Sequence, residues 1–242
     1  MRSVRPLVLV AVLTALVTLF VRERVFRAPL KEEAVVTEFF KLYHGRAIHR
    51  TTFWAGVPIQ QTPTDMWMIQ QIVTETKPDF LIETGTLKGG SALYYASILQ
   101  GLDLPAKVIT VDIADQLDRA RDIPAFRSRV IPIIGDSVAP DTIRKIEDLV
   151  QGRPALALLD SYHRKDHVLR ELRLYARFVP VGSYMVVFDT DLNGHPVSSD
   201  YGPGPMEAVE EFLATDDRFV ADASRERFLL TMCPNGYLKR VK

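Results

Sequence analysis

From Lys77 onward the chain alternates between two patterns. Short runs that are apolar at nearly every position are separated by longer stretches with apolar residues three and four apart. The runs predict strands at Phe80–Glu83, Lys107–Asp112, Val130–Ile134, Ala155–Asp160 and Tyr184–Asp189. The stretches between them predict helices near Ser91–Gln100, Gln116–Arg121, Asp141–Val150 and Lys165–Arg177. Runs such as Leu156-Ala157-Leu158-Leu159 have no polar face, so the sheet is covered on both sides and mostly parallel. Met206–Leu213 reads as an amphipathic helix, and Arg218–Ala221 and Phe228–Met232 read as a late antiparallel pair of strands at one edge. The expected fold is therefore α/β, a doubly wound, Rossmann-like sheet of about seven strands.

The first third of the chain follows a different pattern. Leu7 to Val21 is apolar apart from Thr14 and Thr18, with Arg2 and Arg5 before it and Arg22, Arg24 and Arg27 after it. As a helix this run is roughly 23 Å long, short of a hydrocarbon core of ~30 Å. Snorkelling arginines at both ends can cover the difference. A secretory signal has a similar start, but no A-x-A cleavage site follows. Residues 1–27 are thus expected to be an N-terminal hydrophobic segment, a membrane-anchor helix in the first reading and a signal segment in the second. Residues 28–75 are expected to be a mostly helical extension, with helices over Glu32–Tyr43 and from Thr64 to Val73 and a loop at Thr52–Pro58. Residues 76–242 then form the main domain.

Charge and cysteine content narrow the function classes. The 30 basic and 30 acidic residues balance, which leaves no electrostatic footprint for nucleic acid. Cys233 is the single cysteine, so there is no intrachain disulfide.

The chemistry is concentrated at the carboxyl ends of the predicted strands. The first strand runs into Glu83-Thr84-Gly85-Thr86-Leu87-Lys88-Gly89-Gly90-Ser91. This resembles a phosphate loop in spacing, but Ser91 stands where such a loop needs its lysine, and G-x-G-x-x-G is absent. A carboxylate at Glu83 suits a cationic ligand, and S-adenosylmethionine (SAM) carries both an ammonium and a sulfonium. Glu83, Gly85, Gly89 and Ser91 are its candidate contacts; a structural tight turn is the alternative. Asp112 ends the second strand, where a carboxylate can accept from a ribose diol. Asp136 and Ser137 follow the third strand and can read an adenine edge, or cap the next helix. Asp160-Ser161-Tyr162-His163 and Asp189-Thr190-Asp191 end the fourth and fifth strands. Asp160 and Asp189 with Thr190 form a hard-oxygen set suited to a divalent ion such as Mg²⁺. His163, with Asp160, is the candidate for catalytic acid–base work. Asp166 and His167 read as a helix cap and a solvated helix face. His195 reads as a loop histidine. Trp54, Gln60, Tyr162 and His195 are candidates for an acceptor pocket.

At these residues the chain resembles the cephalosporin hydroxylase/rhamnosyl O-methyltransferase family of SAM-dependent enzymes. The segments that carry the likeness include ETGTLKGGSALYYAS (83–97), LLDSYHRKDHVLRELRLYARFVPVGSYMVVFDT (158–190) and GPGPMEAVEEFL (202–213). The resemblance implies a class I methyltransferase fold, with SAM held by Glu83, Gly85, Ser91, Asp112 and Asp136. It also implies Mg²⁺ near the acids after the fourth and fifth strands. An iron oxygenase would require two histidines and one carboxylate at an open site, and no His-x-Asp/Glu pair is present to seed one. The family commonly has an acidic pair after the fifth strand. Here Phe188 replaces its first member, leaving Asp160 and Asp189 with Thr190 or Asp191 as supplements.

The resemblance implies O-methylation of a hydroxyl on a sugar, glycolipid or related metabolite, which places the chain in lipid or cell-envelope biosynthesis. The acceptor would be a small-molecule or lipid-linked sugar. SAM is made in the cytosol, so an anchored protein would hold its catalytic domain on the cytoplasmic side, in a form that can be a homo-oligomer. Phe188 motivates a second reading, a membrane-attached non-catalytic binding protein on a degenerate methyltransferase fold. A nicotinamide oxidoreductase is the third.

Overall fold

The computed structural model describes residues 31–242. The expected anchor over residues 7–21 lies outside them, and among the described residues no helix is long and apolar enough to cross a membrane. One compact unit runs from Phe39 to Lys242, and the described residues before it, 31–38, belong to another. Helix α1 (Glu32–Gly45) is followed by a short 3₁₀ turn (Ile48–Thr51). The stretch expected to be a loop holds a small hairpin, β1 (Phe53–Trp54) against β2 (Val57–Pro58). Helix α2 (Pro63–Thr76) starts on the Thr62 side chain, which accepts from the Asp65 N–H, and has Pro63 at its first position.

The alternation from Lys77 onward becomes a regular α/β series. It runs β3 (Phe80–Thr84), α3 (Gly90–Gly101), β4 (Lys107–Asp112), α4 (Asp118–Arg121), α5 (Pro124–Arg129), β5 (Val130–Ile134), α6 (Pro140–Val150), β6 (Ala155–Leu159), α7 (Lys165–Tyr175) and β7 (Tyr184–Val187). Helix α8 (Pro205–Thr215), β8 (Phe219–Ala221) and β9 (Tyr237–Arg240) complete it. The sheet has seven strands in the order β5-β4-β3-β6-β7-β9-β8. All neighbours are parallel except those of β9, which runs antiparallel to both β7 and β8.

Strand side chains alternate between two cores. Leu81, Val108, Leu156, Leu158 and Val186 face α2 and α3, while Ile82, Ile109, Ala157, Leu159 and Val187 face α6, α7 and α8. Helix α2 contributes Met66, Met68, Ile69, Ile72 and Val73 to the first core, so this part of the extension packs as a layer of the main sheet.

One expected strand is absent. Phe228–Met232 is irregular, and the last strand lies further on at Tyr237–Arg240. The backbone polar groups of the apolar run go elsewhere: Leu230 N–H donates to the Phe228 carbonyl and Met232 N–H to Asp65 Oδ2. The side chains of Thr231 and Tyr237 also converge on Asp65, which is buried and accepts from Thr62 as well. This carboxylate ties the start of α2 to the C-terminal segment. The helix expected at Gln116–Arg121 is shorter, and α5 follows it without having been anticipated.

Candidate active site

The chain enters the sheet at β3 and winds outward through β4 and β5. It then returns to the other side of β3 at β6. The crevice at this reversal, outside the carboxyl ends of the strands, is where an open α/β sheet binds ligands. Gly85 makes the crevice possible. Its φ is +86°, and a Cβ there would lie 1.8 Å from the Asp160 carbonyl oxygen, so the β3–α3 loop lies directly on the end of β6. Gly90 allows an equally close approach on the other side, where a Cβ would be 2.1 Å from the Pro58 carbonyl oxygen. Gly89, a candidate cofactor contact, faces elsewhere: its open side meets Leu117, Ala120 and Phe126. It gives α3 its left-handed cap and is not on the cavity wall.

Two cavities line the crevice. The larger, about 480 Å³, is bounded by Gly85, Ser91, Asp112, Asp160, His163 and Asp189, and is covered by Gln60, Gln61, His49 and Arg50 from the N-terminal segment. The smaller, about 230 Å³, shares Gly85, Asp112 and Ser161 with it and continues to Asp136, Ser137, Tyr162 and His167. Asp112 stands where they join. Its Oδ2 accepts from the Leu87 N–H at 2.8 Å and its Oδ1 from the Ala114 N–H at 3.0 Å, which leaves lone pairs for a ligand. Asp136 accepts from the Val138 N–H at 3.0 Å, so it caps the turn and also faces the smaller cavity.

Glu83 is 1 % exposed and lies behind the cavity wall rather than on it. Its Oε2 accepts from Thr110 Oγ1 at 2.5 Å across the β3–β4 ladder. Thr110 spends its proton there, so Thr86, 2.7 Å away, donates to Thr110. Glu83 Oε1 has no hydrogen-bond partner. Burial pushes the carboxyl up to about 7, while the nearby Ser91 hydroxyl and Thr110 pull it down and Asp112 adds to the rise.

The acids beyond β6 and β7 meet at the far end of the larger cavity. Asp160, His163 and Asp189 each offer one ligand atom, and these atoms lie within 4.8 Å of one another. His163 Nε2 is 3.1 Å from Asp189 Oδ2. Gln61 Nε2 donates to Asp160 Oδ2 at 2.6 Å. Desolvation, and then the Asp189 charge, holds the Asp160 carboxyl well above its ordinary range. Thr190, expected among the ligands, is fully buried with an unpartnered hydroxyl and does not line the larger cavity. The reason is local: Asp189 takes a left-handed conformation (φ +57°), so the chain turns there and Thr190 and Asp191 point inward while Asp189 faces the cavity. Burial, then Asp189, pushes the Asp191 carboxyl up to about 9. Phe188 is buried in the α3-side core.

His167 sits on the smaller cavity, not on a solvated helix face. Its Nε2 is 3.1 Å from Ser137 Oγ and 3.2 Å from Ser161 Oγ, and Ser161 donates to the buried Glu171 at 2.7 Å. Of the residues considered for an acceptor pocket, Gln60 and Tyr162 line the cavities. Trp54 instead packs on Tyr94 and donates to Ser97, and His195 contacts Glu207 at 3.2 Å. Periodicity carried no signal for Gln61 or His49, which reach the site only through the tertiary fold. For His163 there was a signal, a histidine three positions after Asp160 in one loop.

The rhamnosyl O-methyltransferase/CmcI family model matches residues 46–241. The chain belongs to this family. The rhamnosyl O-methyltransferase of Mycobacterium tuberculosis (strain ATCC 25618 / H37Rv) is 39 % identical over 217 residues, covering 86 % of each chain. That of Mycobacterium leprae (strain TN) is 35 % identical over 211 residues, 86 % of this chain and 91 % of its own. A structure of CmcI with Mg and SAM matches the fold with a TM-score of 0.61 at 17 % identity, over 80 % of this chain and 78 % of that one. Membership in the rhamnosyl O-methyltransferase/CmcI family makes this chain a SAM-dependent O-methyltransferase with a class I fold.

Proposed function

We propose that this enzyme methylates a hydroxyl of a sugar, with SAM along the two-cavity crevice and a divalent ion at Asp160, His163 and Asp189. The observation that carries the reading is the meeting of these three side chains with the Gly85–Ser91 loop in one cavity. The residues fit both groups. Gly85 and Gly90 lack the Cβ atoms that would close the crevice, and Asp112 has free lone pairs at its centre. The two carboxylates and an imidazole are a donor set for a divalent cation.

Bound SAM supplies an electrophilic methyl group on a sulfonium. The ion supplies a Lewis acid that lowers the pKa of a nearby hydroxyl. The chain's own task is positioning, because methyl transfer needs oxygen, carbon and sulfur in line at near-attack distance. Asp112 holds the ribose, and Asp136, Ser137 and His167 bound the nucleobase end. Glu83 shapes the loop from behind through Thr110 and Thr86 and adds a carboxylate near the cationic end of the cofactor. Gln61 fixes the Asp160 carboxylate that faces the acceptor.

The relatives named rhamnosyl O-methyltransferases favour a deoxyhexose acceptor, free or lipid-linked, and residues 7–21 would hold the catalytic domain at the cytoplasmic face of a membrane. The non-catalytic reading loses its motive, because His163 stands beside the two aspartates where Phe188 cannot contribute. The test is calorimetry with S-adenosylhomocysteine, followed by incubation with SAM and a rhamnoside. Cofactor binding with a mass gain of one CH₂ on the sugar supports the proposal. A chain that binds the cofactor but leaves every sugar hydroxyl unmodified sinks the acceptor assignment, and one that binds no cofactor sinks the whole.

A further inference from the structure

We infer that Leu192, Met232 and Tyr201 form an apolar subsite for the deoxy carbon of the acceptor sugar, and that this wall selects a 6-deoxyhexose over the hexose that carries a hydroxyl at the same carbon. The inference rests on the sugar-methylation reading above and adds to it the part of the sugar that the chain recognises.

Three observations carry it. First, the described residues hold a third apolar cluster, separate from the two cores on the faces of the sheet. Phe40, Val197 and Met232 are its buried members, and Leu192 and Leu230 pack against it. Two of these side chains, Leu192 and Met232, also line the larger cavity, so the cluster ends on the cavity wall. Second, the wall stands beside the reacting end. The Leu192 N–H donates to the Asp189 carbonyl at 3.3 Å, and Asp189, His163 and Tyr201 line the same cavity. Third, the loop between β7 and α8 that carries Leu192 and Tyr201 is held in place by its own contacts. Glu207 accepts from Asn193 at 2.7 Å and from the Gly204 N–H at 2.6 Å, and Asn193 accepts from the Gly202 N–H at 3.0 Å. Arg164 lies over the Tyr201 ring, 4.4 Å from its centre, and donates to the Tyr201 carbonyl at 2.5 Å. A wall fixed in this way needs little ordering when a ligand arrives, so its contacts are expressed in binding.

The chemistry of the wall sets the selectivity. A methyl group placed against Leu192 and Met232 sheds water at no polar cost. A hydroxymethyl group in the same place brings a hydroxyl that neither side chain can satisfy. Apolar pockets reject an added hydroxyl by about 100-fold. The remaining hydroxyls of the sugar have His49, Arg50 and Ser198 to meet on the same cavity, so the apolar and polar sides of the acceptor are read by different residues.

The experiment uses the full chain. Saturation-transfer NMR is recorded on methyl α-L-rhamnoside with the S-adenosylhomocysteine-loaded protein. With SAM and Mg²⁺ present, kcat/KM is then compared for this sugar and methyl α-L-mannoside, which differ only by the hydroxyl on the sixth carbon. The expected results are strongest saturation at the sugar's deoxy methyl protons and a preference for the rhamnoside of about 100-fold. Leu192→Asn and Met232→Gln should each cut that preference by about tenfold, because each gives the hydroxyl a partner. Their S-adenosylhomocysteine affinity should stay at the wild-type value, which also shows that the variants are folded. The inference is overturned by saturation that is weakest at the deoxy methyl, by a wild-type ratio near one, or by a ratio that both folded variants leave unchanged. In those cases methyl transfer to a sugar still stands. A chain that neither binds nor methylates either sugar overturns this inference and the sugar reading together. The wild-type measurements decide even where both variants fail to fold.

Discussion

Gln61 donates to Asp160 at 2.6 Å, joining the segment before the sheet to the acid at the tip of β6. The bond crosses 99 positions of sequence. It makes the N-terminal segment part of the site rather than an appendage, since Gln61 and its neighbours also cover the larger cavity. Gln61→Leu keeps the volume and removes the donor. Outer partners of metal ligands are worth about 10–100-fold in metal affinity or activity. The expected result is a fall of that size in methyl transfer with S-adenosylhomocysteine affinity unchanged, measured by steady-state kinetics and calorimetry.

Gly85 has a positive φ and no room for a Cβ beside the Asp160 carbonyl. Gly152 also has a positive φ, +74°, but has open space around it. Gly152→Ala should therefore cost only the left-handed backbone penalty, about 1–2 kcal/mol. Gly85→Ala should cost more and should abolish cofactor binding, because β6 and the β3–α3 loop must separate. Thermal unfolding and calorimetry of the two variants make the comparison.

Glu83 makes stability depend on pH. Its folded pKa, about 7, lies above the ordinary carboxylate value of 4.5, chiefly because of burial. The sign follows directly: the folded state binds the proton more tightly, so stability is fully present below about pH 4.5 and is lost as pH rises through about 7. The loss is on the order of 3 kcal/mol. Glu83→Gln removes the charge while keeping the shape, so the variant should gain on the wild type steadily between those pH values. Melting curves of the cofactor-free proteins across about pH 4–8 test this, and parallel curves would refute it.

Asp65 accepts hydrogen bonds from Thr62, Thr231, Tyr237 and the Met232 N–H. Asp65→Ala leaves those donors buried without an acceptor, at about 1–3 kcal/mol for each that water cannot reach. A total of roughly 4 kcal/mol corresponds to a fall in Tm of about 8–16 °C in a domain of this size. Differential scanning calorimetry reads it, and a change under about 1 kcal/mol would show that the C-terminal segment does not depend on this carboxylate.

The main sheet was legible in the sequence because its strands are short, wholly apolar runs bounded by turn residues. Phe80–Glu83, Lys107–Asp112 and Val130–Ile134 each fall on the observed strands to within a residue. The apolar run Phe228–Met232 has the same composition but no strand, since the Leu229 and Leu230 N–H groups are taken by local turns and the Met232 N–H and the Thr231 hydroxyl by Asp65. That competitor lies more than 160 positions away, beyond any local window. The site divides in the same manner. Asp112, Asp160 and Asp189 could be found from strand ends alone, because a parallel sheet delivers every strand terminus to one edge.

The sequence by itself determined the alternation through the five parallel strands, the family and the edge at which the chemistry gathers, because these depend on local periodicity and on motifs only a few residues long. The tertiary structure decided which side chains face the crevice. It put Glu83 behind the wall, turned Thr190 and Asp191 inward at the left-handed Asp189, and brought Gln61 and His163 to the two aspartates. Those choices depend on backbone turns and on contacts between segments far apart along the chain, which burial and steric fit fix only once the whole sheet has assembled.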